Sequence, residues 1–172
     1  SRSAIPRTID QLASRLPSVD QVRFANSGTE AVMMALKAAR AHTGRPKIAK
    51  CEGAYHGSYD YAEVSLDPTP EAWGRNAPVS VAYARGTPDN VLADVVTIPF
   101  NDTEAAVSLI REHGEGLACV LVDPMPNRAG LAPADQSYLE ALRKVTQEVG
   151  ALLIFDEVIT FRLGFRGAQG IW

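Results

Sequence analysis

The stretch Ala151-Leu152-Leu153-Ile154-Phe155-Asp156-Glu157-Val158 decides the fold. Its five leading apolar residues read as a strand, which empties directly into two acids. Immediately upstream, Gln136 to Val149 places Leu139, Leu142, Val145 and Val149 on one helical face and stops at Gly150. Further back, Leu117 to Val122 is a second continuous apolar strand, halted by Pro124. Strand, helix and strand repeated in this way predict an α/β fold, a mostly parallel central sheet flanked by helices.

The same alternation extends toward the N-terminus. Ile9 to Leu16 reads as a short helix and Gln21 to Ala25 as a strand. Gly28 to Thr43 is an Ala-rich helix that ends at Gly44, with Pro46 behind it. Lys47 to Cys51 is a short strand, followed by the loop Glu52 to Ser58. The stretch Asp67 to Asn90, rich in Pro, Gly, Asn and Thr, has no sustained period and reads as a surface excursion bordering a site or a subunit contact. Val91 to Ile98 reads as extended. Asn101 with Glu104 three positions on resembles a capping box opening a helix through His113.

Composition narrows the function classes. With 172 residues and 46% hydrophobic content the chain supports a packed core, and a net charge of -3 with interspersed signs offers no basic stripe for nucleic acid or an anionic membrane. Nothing approaches a membrane span, and the polar start from Ser1 to Asp10 lacks a signal-peptide layout, so a cytoplasmic location is expected. Cys51 and Cys119 each lie in a strand-like run and read as buried core residues, not as a disulfide or a metal pair. His42 and His113 read as surface groups at helix C-termini, and Met33 and Met34 as packing. Trp73 and Trp172 are candidates for an interface.

Ligands of open α/β sheets collect at the carboxyl ends of the strands, which directs attention to three positions. Asn26-Ser27-Gly28-Thr29 opens a helix with small residues and two hydroxyls, a natural cradle for phosphate and equally an ordinary N-cap. Gly53-Ala54-Tyr55-His56-Gly57 holds a ring and an imidazole between glycines, suited to stacking on a planar ligand or to local loop packing. Asp156 and Glu157 end the last strand, and a carboxylate there needs a cation or strong donor. A protonated pyridine nitrogen satisfies that need, as does Arg162 or Arg166 of the same chain. No G-x-G-x-x-G follows a strand, which argues against a dinucleotide-binding domain.

In combination, Asn-Ser-Gly-Thr-Glu at 26–30, Ala-Tyr-His-Gly at 54–57 and Leu-Leu-Ile-Phe-Asp-Glu-Val at 152–158 resemble the class III aminotransferases that depend on pyridoxal phosphate (PLP). Val22-Arg23-Phe24, Ala38-Ala39-Arg40-Ala41, Thr43-Gly44-Arg45, Pro99-Phe100-Asn101-Asp102 and Gly167-Ala168-Gln169 point to the branch containing glutamate-1-semialdehyde aminomutase. The resemblance implies a type I PLP fold and amino-group transfer on a small amino or oxo substrate. It implies that Gly28 and Thr29, with Ser27 beside them, donate to the cofactor phosphate. Tyr55 would stack on one ring face with His56 adjacent, Val158 would pack on the other, and Asp156 would pair with the ring nitrogen and keep it protonated. It further implies a homodimer.

The sequence departs from that pattern where Asp123-Pro124 and Met125-Pro126-Asn127-Arg128 replace a Glu-Pro pair and a small, Gly-containing turn. Asp123 also suits a simple turn cap before Pro124. The glycine usual in the aminomutase between the positions of Thr160 and Phe161 is absent. Class III enzymes carry the Schiff-base lysine beyond the aspartate, yet the four lysines here, Lys37, Lys47, Lys50 and Lys144, all precede Asp156. Residues 1–172 are therefore expected to be part of the large cofactor domain, without the N-terminal segment, the lysine segment and the small C-terminal domain, and inactive alone. The alternative is a non-catalytic domain that binds phosphate or PLP.

Overall fold

A computed structural model of the chain describes residues 4–74 and 77–170; Trp172 lies outside the described residues. Its elements run α1 (Ala4–Arg15), α2 (Gly28–Thr43), β1 (Lys47–Cys51), α3 (Asp60–Glu63), α4 (Asp89–Ala93), β2 (Val95–Ile98), α5 (Thr103–Glu112), β3 (Leu117–Val122), α6 (Gln136–Val149) and β4 (Leu152–Phe155). The four strands form one parallel sheet in the order β2-β1-β3-β4. This is the α/β architecture that the apolar runs predict.

Side chains of successive strand residues alternate between two cores. Ala49, Cys51, Val120 and Val122 pack against α5 and α6 through Ala106, Ile110, Tyr138, Leu142 and Val145. Ile48, Val95, Cys119 and Leu121 pack against Val32, Leu36 and Ala39 of α2 and Ala62 of α3 on the other face. Both cysteines are free and buried, as expected of small core residues. Each fully buried Leu or Val of these layers contributes about 1.5–3 kcal/mol of burial free energy, so the two faces rather than helix propensity hold the sheet.

The connection from β1 to β2 runs one way across the sheet, whereas those from β2 to β3 and from β3 to β4 run the other way and use the opposite face. Right-handed crossovers require that change of face when the direction reverses. The reversal opens a crevice between the carboxyl ends of β1 and β3, where doubly wound sheets bind ligands.

Three local expectations need correction. Gln21–Ala25 forms no strand among the described residues: it pairs with neither edge of the sheet, and Phe24 remains 52% exposed. Only Val95–Ile98 of the extended reading is strand; Asp89–Ala93 is a helical turn whose entry Pro88 sets at φ -65°, with Val91 N–H bonded to Pro88 O at 3.0 Å. The cap of α5 is Asp102, which accepts Ala105 N–H at 3.1 Å, not Asn101. Asn101 takes a left-handed turn at φ 59° and instead ties the α6 entry, donating to Pro133 O and accepting from Asp135 N–H. Among the described residues of the excursion 67–90 the helical pieces are a 3-10 turn at Pro70–Ala72 and the start of α4, and Trp73 is exposed there with its Nε1–H on Pro68 O. No helix among the described residues is long and apolar enough to cross a membrane.

Candidate active site

Three chain segments far apart in sequence meet over the crevice. Ser27 caps α2, its hydroxyl accepting Glu30 N–H at 3.2 Å, while Glu30 returns a bond to Asn26 N–H at 2.8 Å. That reciprocal cap leaves the backbone N–H groups of Gly28 and Thr29 at the positive end of a 16-residue helix. The ordinary N-cap is therefore realised, and its two bonds do not consume those N–H groups.

The loop after β1 packs directly onto this helix end. Thr29 Oγ1 accepts Ser58 N–H at 3.2 Å, and a Cβ added at Gly57, whose φ is +90°, would stand 2.8 Å from Thr29 Cα. Gly57→Ala is thus expected to destabilise the chain by about 2–4 kcal/mol through backbone strain and overpacking, read as a lower urea midpoint at unchanged slope. An unchanged midpoint would show that loop and helix do not touch in solution.

Asp156 follows β4 and meets the β1 loop from the other side. His56, buried among loop and sheet, stands with Nδ1 2.8 Å from Asp156 Oδ2 across a separation of 100 residues. Burial pushes the Asp156 carboxyl up, but the hydrogen bond and charge of His56 and the N–H of Val158 outweigh it, so the group lies below its ordinary value. An ionised Asp156 accepts only, which puts the His56 proton on Nδ1. Nε2 of His56 is buried and has no partner among the described residues. Neither Arg162 nor Arg166 forms an ion pair with Asp156 among those residues, so the same-chain arginine alternative is not what the fold adopts.

These groups line a cavity of about 320 Å³ with Gly28, Thr29, Tyr55, His56, Gly57, Asp123, Asn127, Asp156, Val158 and Ile159 on its walls. Tyr55 and Val158 are 45% and 74% exposed, leaving both an aromatic and an aliphatic face free for a planar ligand. A Cβ at Gly28 would lie 3.7 Å from Val158 Cγ2, so the helix end and the aliphatic wall are neighbours. Of the residues singled out from sequence, Gly28, Thr29, Tyr55, His56, Asp156 and Val158 line the cavity, and Ser27 supports it as the cap.

Asp123 caps its turn, accepting Met125 N–H at 2.9 Å, and also forms part of the wall. Its carboxyl is raised by burial, lowered by Met125 N–H, raised by Asp156 and lowered by His56, with a net upward shift. Asn127, Gly57 and Ile159 escaped sequence reasoning as wall residues; the unusual 123–128 turn was the available signal for Asn127. A larger cleft of about 650 Å³ beside α6 and β4 includes Arg143, Lys144, Glu140 and Glu157 but no other candidate residue. The smaller cavity is the candidate site, because the helix terminus, the imidazole and the buried carboxylates converge there.

Sheet order and likeness to solved structures define part of a type I PLP-dependent transferase fold. The profile of the family described as "Aminotransferase class-III" matches residues 2–172, and the chain belongs to that family. It is 44% identical over 164 residues to a glutamate-1-semialdehyde 2,1-aminomutase of Pyrobaculum calidifontis, covering 95% of this chain and 36% of the relative. Among solved structures, an omega-transaminase from Sphaerobacter thermophilus is 51% identical with a TM-score of 0.87, covering 94% of this chain and 37% of that one. A transaminase solved with PLP bound is 46% identical, with a TM-score of 0.89 over 98% of this chain and 38% of that one. The chain thus spans little more than a third of the length of these relatives.

Proposed function

We propose that these residues bind pyridoxal phosphate and that the protein of which they form the cofactor domain transfers amino groups. The observation that carries this reading is Asp156, kept ionised by His56 at the end of β4 and set in a cavity that runs to the N-terminus of α2. The residues fit the cofactor: Gly28 leaves room beside Val158, the unpartnered Nε2 of His56 marks incomplete polar satisfaction, and the cavity offers anion donors at one end and an anion at the other.

Gly28 and Thr29 would hold the phosphate through backbone N–H groups and the Thr29 hydroxyl, whose oxygen accepts Ser58 N–H and whose proton is left to donate. Tyr55 and Val158 would sandwich the ring, and Asp156 would pair with its nitrogen while His56 orients the carboxylate. When bound, the cofactor supplies an electron sink for bond cleavage at the carbon bearing the amino group. No lysine follows Asp156 within the 172 residues, so turnover is assigned to a protein of the relatives' length and binding to the residues present here.

Resemblance to both aminomutases and transaminases leaves a small amino or oxo compound as the proposed substrate class. A cytoplasmic homodimer belongs to the same proposal, and the exposed Phe24, Leu163 and Phe165 support the dimer. Titration of the purified protein with PLP, followed by visible absorbance, is expected to show saturable binding that unphosphorylated pyridoxal reproduces only weakly. Equal affinity for both compounds would remove the α2 terminus from the site, and no binding of either would overturn the reading.

A further inference from the structure

Lys50 is fully buried, on the sheet face opposite Cys51, and has no role in the site described above. Its Nζ donates to Cys51 O at 3.0 Å and Val64 O at 2.8 Å, and no carboxylate pairs with it among the described residues. A buried ammonium with no carboxylate in contact, and only the longer-range charge of Glu52 to favour it, is expensive compared with an apolar side chain of similar volume, so the position demands a reason.

The two carbonyls explain what Lys50 joins. Residue 51 is the last of β1 and residue 64 the first after α3, and between them run Tyr55, His56 and Gly57. The same two stems meet again where Gly53 N–H bonds Ser65 O at 2.8 Å. Ser65, held at φ 53°, is itself fastened by Val81 N–H and by Thr97 Oγ1, and its hydroxyl donates to Val79 O. The far stem is therefore anchored to the sheet, and Lys50 ties the near stem to it.

We propose that Lys50 is a positioning residue whose buried ammonium cross-ties the two stems of loop 52–63, so that Tyr55 and His56 enter the cavity in one fixed placement. The connection to ligand binding rests on the PLP reading, whereas the tie itself does not. Removing the amine leaves two interior carbonyls without donors at the loop base, and the loop opens locally while the rest of the sheet stays closed.

The test is amide hydrogen exchange on the whole protein, comparing wild type with Lys50→Met and with Lys50→Gln, which retains an N–H donor. Exchange over residues 53–66 is expected to speed up about tenfold or more in Lys50→Met, with α5 and α6 unchanged and partial recovery in Lys50→Gln. Affinity for PLP falls in the same order, also by about tenfold for Lys50→Met, measured well below the melting temperature. Exchange that rises evenly along the chain, or loop exchange unchanged in both variants, overturns the tie. Faster loop exchange with unaltered PLP affinity overturns the positioning role. If wild type itself fails to bind PLP, the functional reading falls while the exchange result still decides the tie.

Discussion

Exchanging Asp156 for asparagine is expected to lower amino-transfer turnover of the protein at relatives' length roughly 10²–10³-fold, the range for loss of one preorganised electrostatic partner. Asparagine keeps the shape and can still accept the His56 Nδ1–H that Asp156 accepts at 2.8 Å. It carries no charge, so a ring nitrogen beside it loses the anion that keeps it protonated. Turnover at saturating cofactor, with PLP occupancy measured in parallel, separates this effect from weaker binding. Turnover within a few fold of wild type would show that Asp156 does not face the ring nitrogen. The same carboxylate contributes to acid stability. Because its folded value lies below the ordinary one, its contribution is present above the unfolded value of 3.8 and is lost as pH falls through the folded value.

Lys50 produces the second large expected effect, with the same pH sense but in the alkaline range. Burial lowers its ammonium from 10.5 to about 8, against smaller upward influences from Cys51 and Glu52. Between those values the unfolded chain binds more protons than the folded one, so stability rises with pH. The cost of burying the charge is complete below pH 8 and is relieved as pH approaches 10.5, a change of about 3 kcal/mol.

Other buried groups act oppositely. Burial raises Cys51 from 9.0 to about 11 and Cys119 to about 12, so their contributions are lost as pH climbs past 9. Tyr138, also raised by burial, adds to that loss above pH 10. The clean observable is therefore the difference in urea-unfolding free energy between wild type and Lys50→Met. It should grow in favour of wild type from pH 7 to pH 10.5, starting in the window of pH 8–9 where the thiols are still protonated in both states. A flat difference would mean that the Lys50 amine reaches water.

The strongest local signals were read correctly because they depend on neighbours in sequence. The all-apolar run Leu117–Val122 is buried at every position, as a central strand of a parallel sheet must be. Gly44 and Gly150 end α2 and α6 in the left-handed conformation, at φ 70° and 73°. Misreadings arose where a partner decides. Gln21–Ala25 has the apolar content of a strand but pairs with neither edge of the sheet, and the cap of α5 moved to Asp102 because Asn101 is recruited by Pro133 and Asp135. Neither competitor is visible from the hydrophobic pattern.

Sequence alone determined the fold class, the register of hydrophobic and polar positions, and the residue types available at each strand end, since these follow from periodicity and chain stereochemistry. Only the tertiary structure decided which of those residues meet. His56 reached Asp156 instead of an arginine, Gly57 closed on Thr29, Asp123 and Asn127 joined the wall, and Lys50 bridged two loop stems. The reason is physical: such contacts depend on the reversal of strand order between β1 and β3 and on side chains brought together from distant segments, and local propensity carries no record of either.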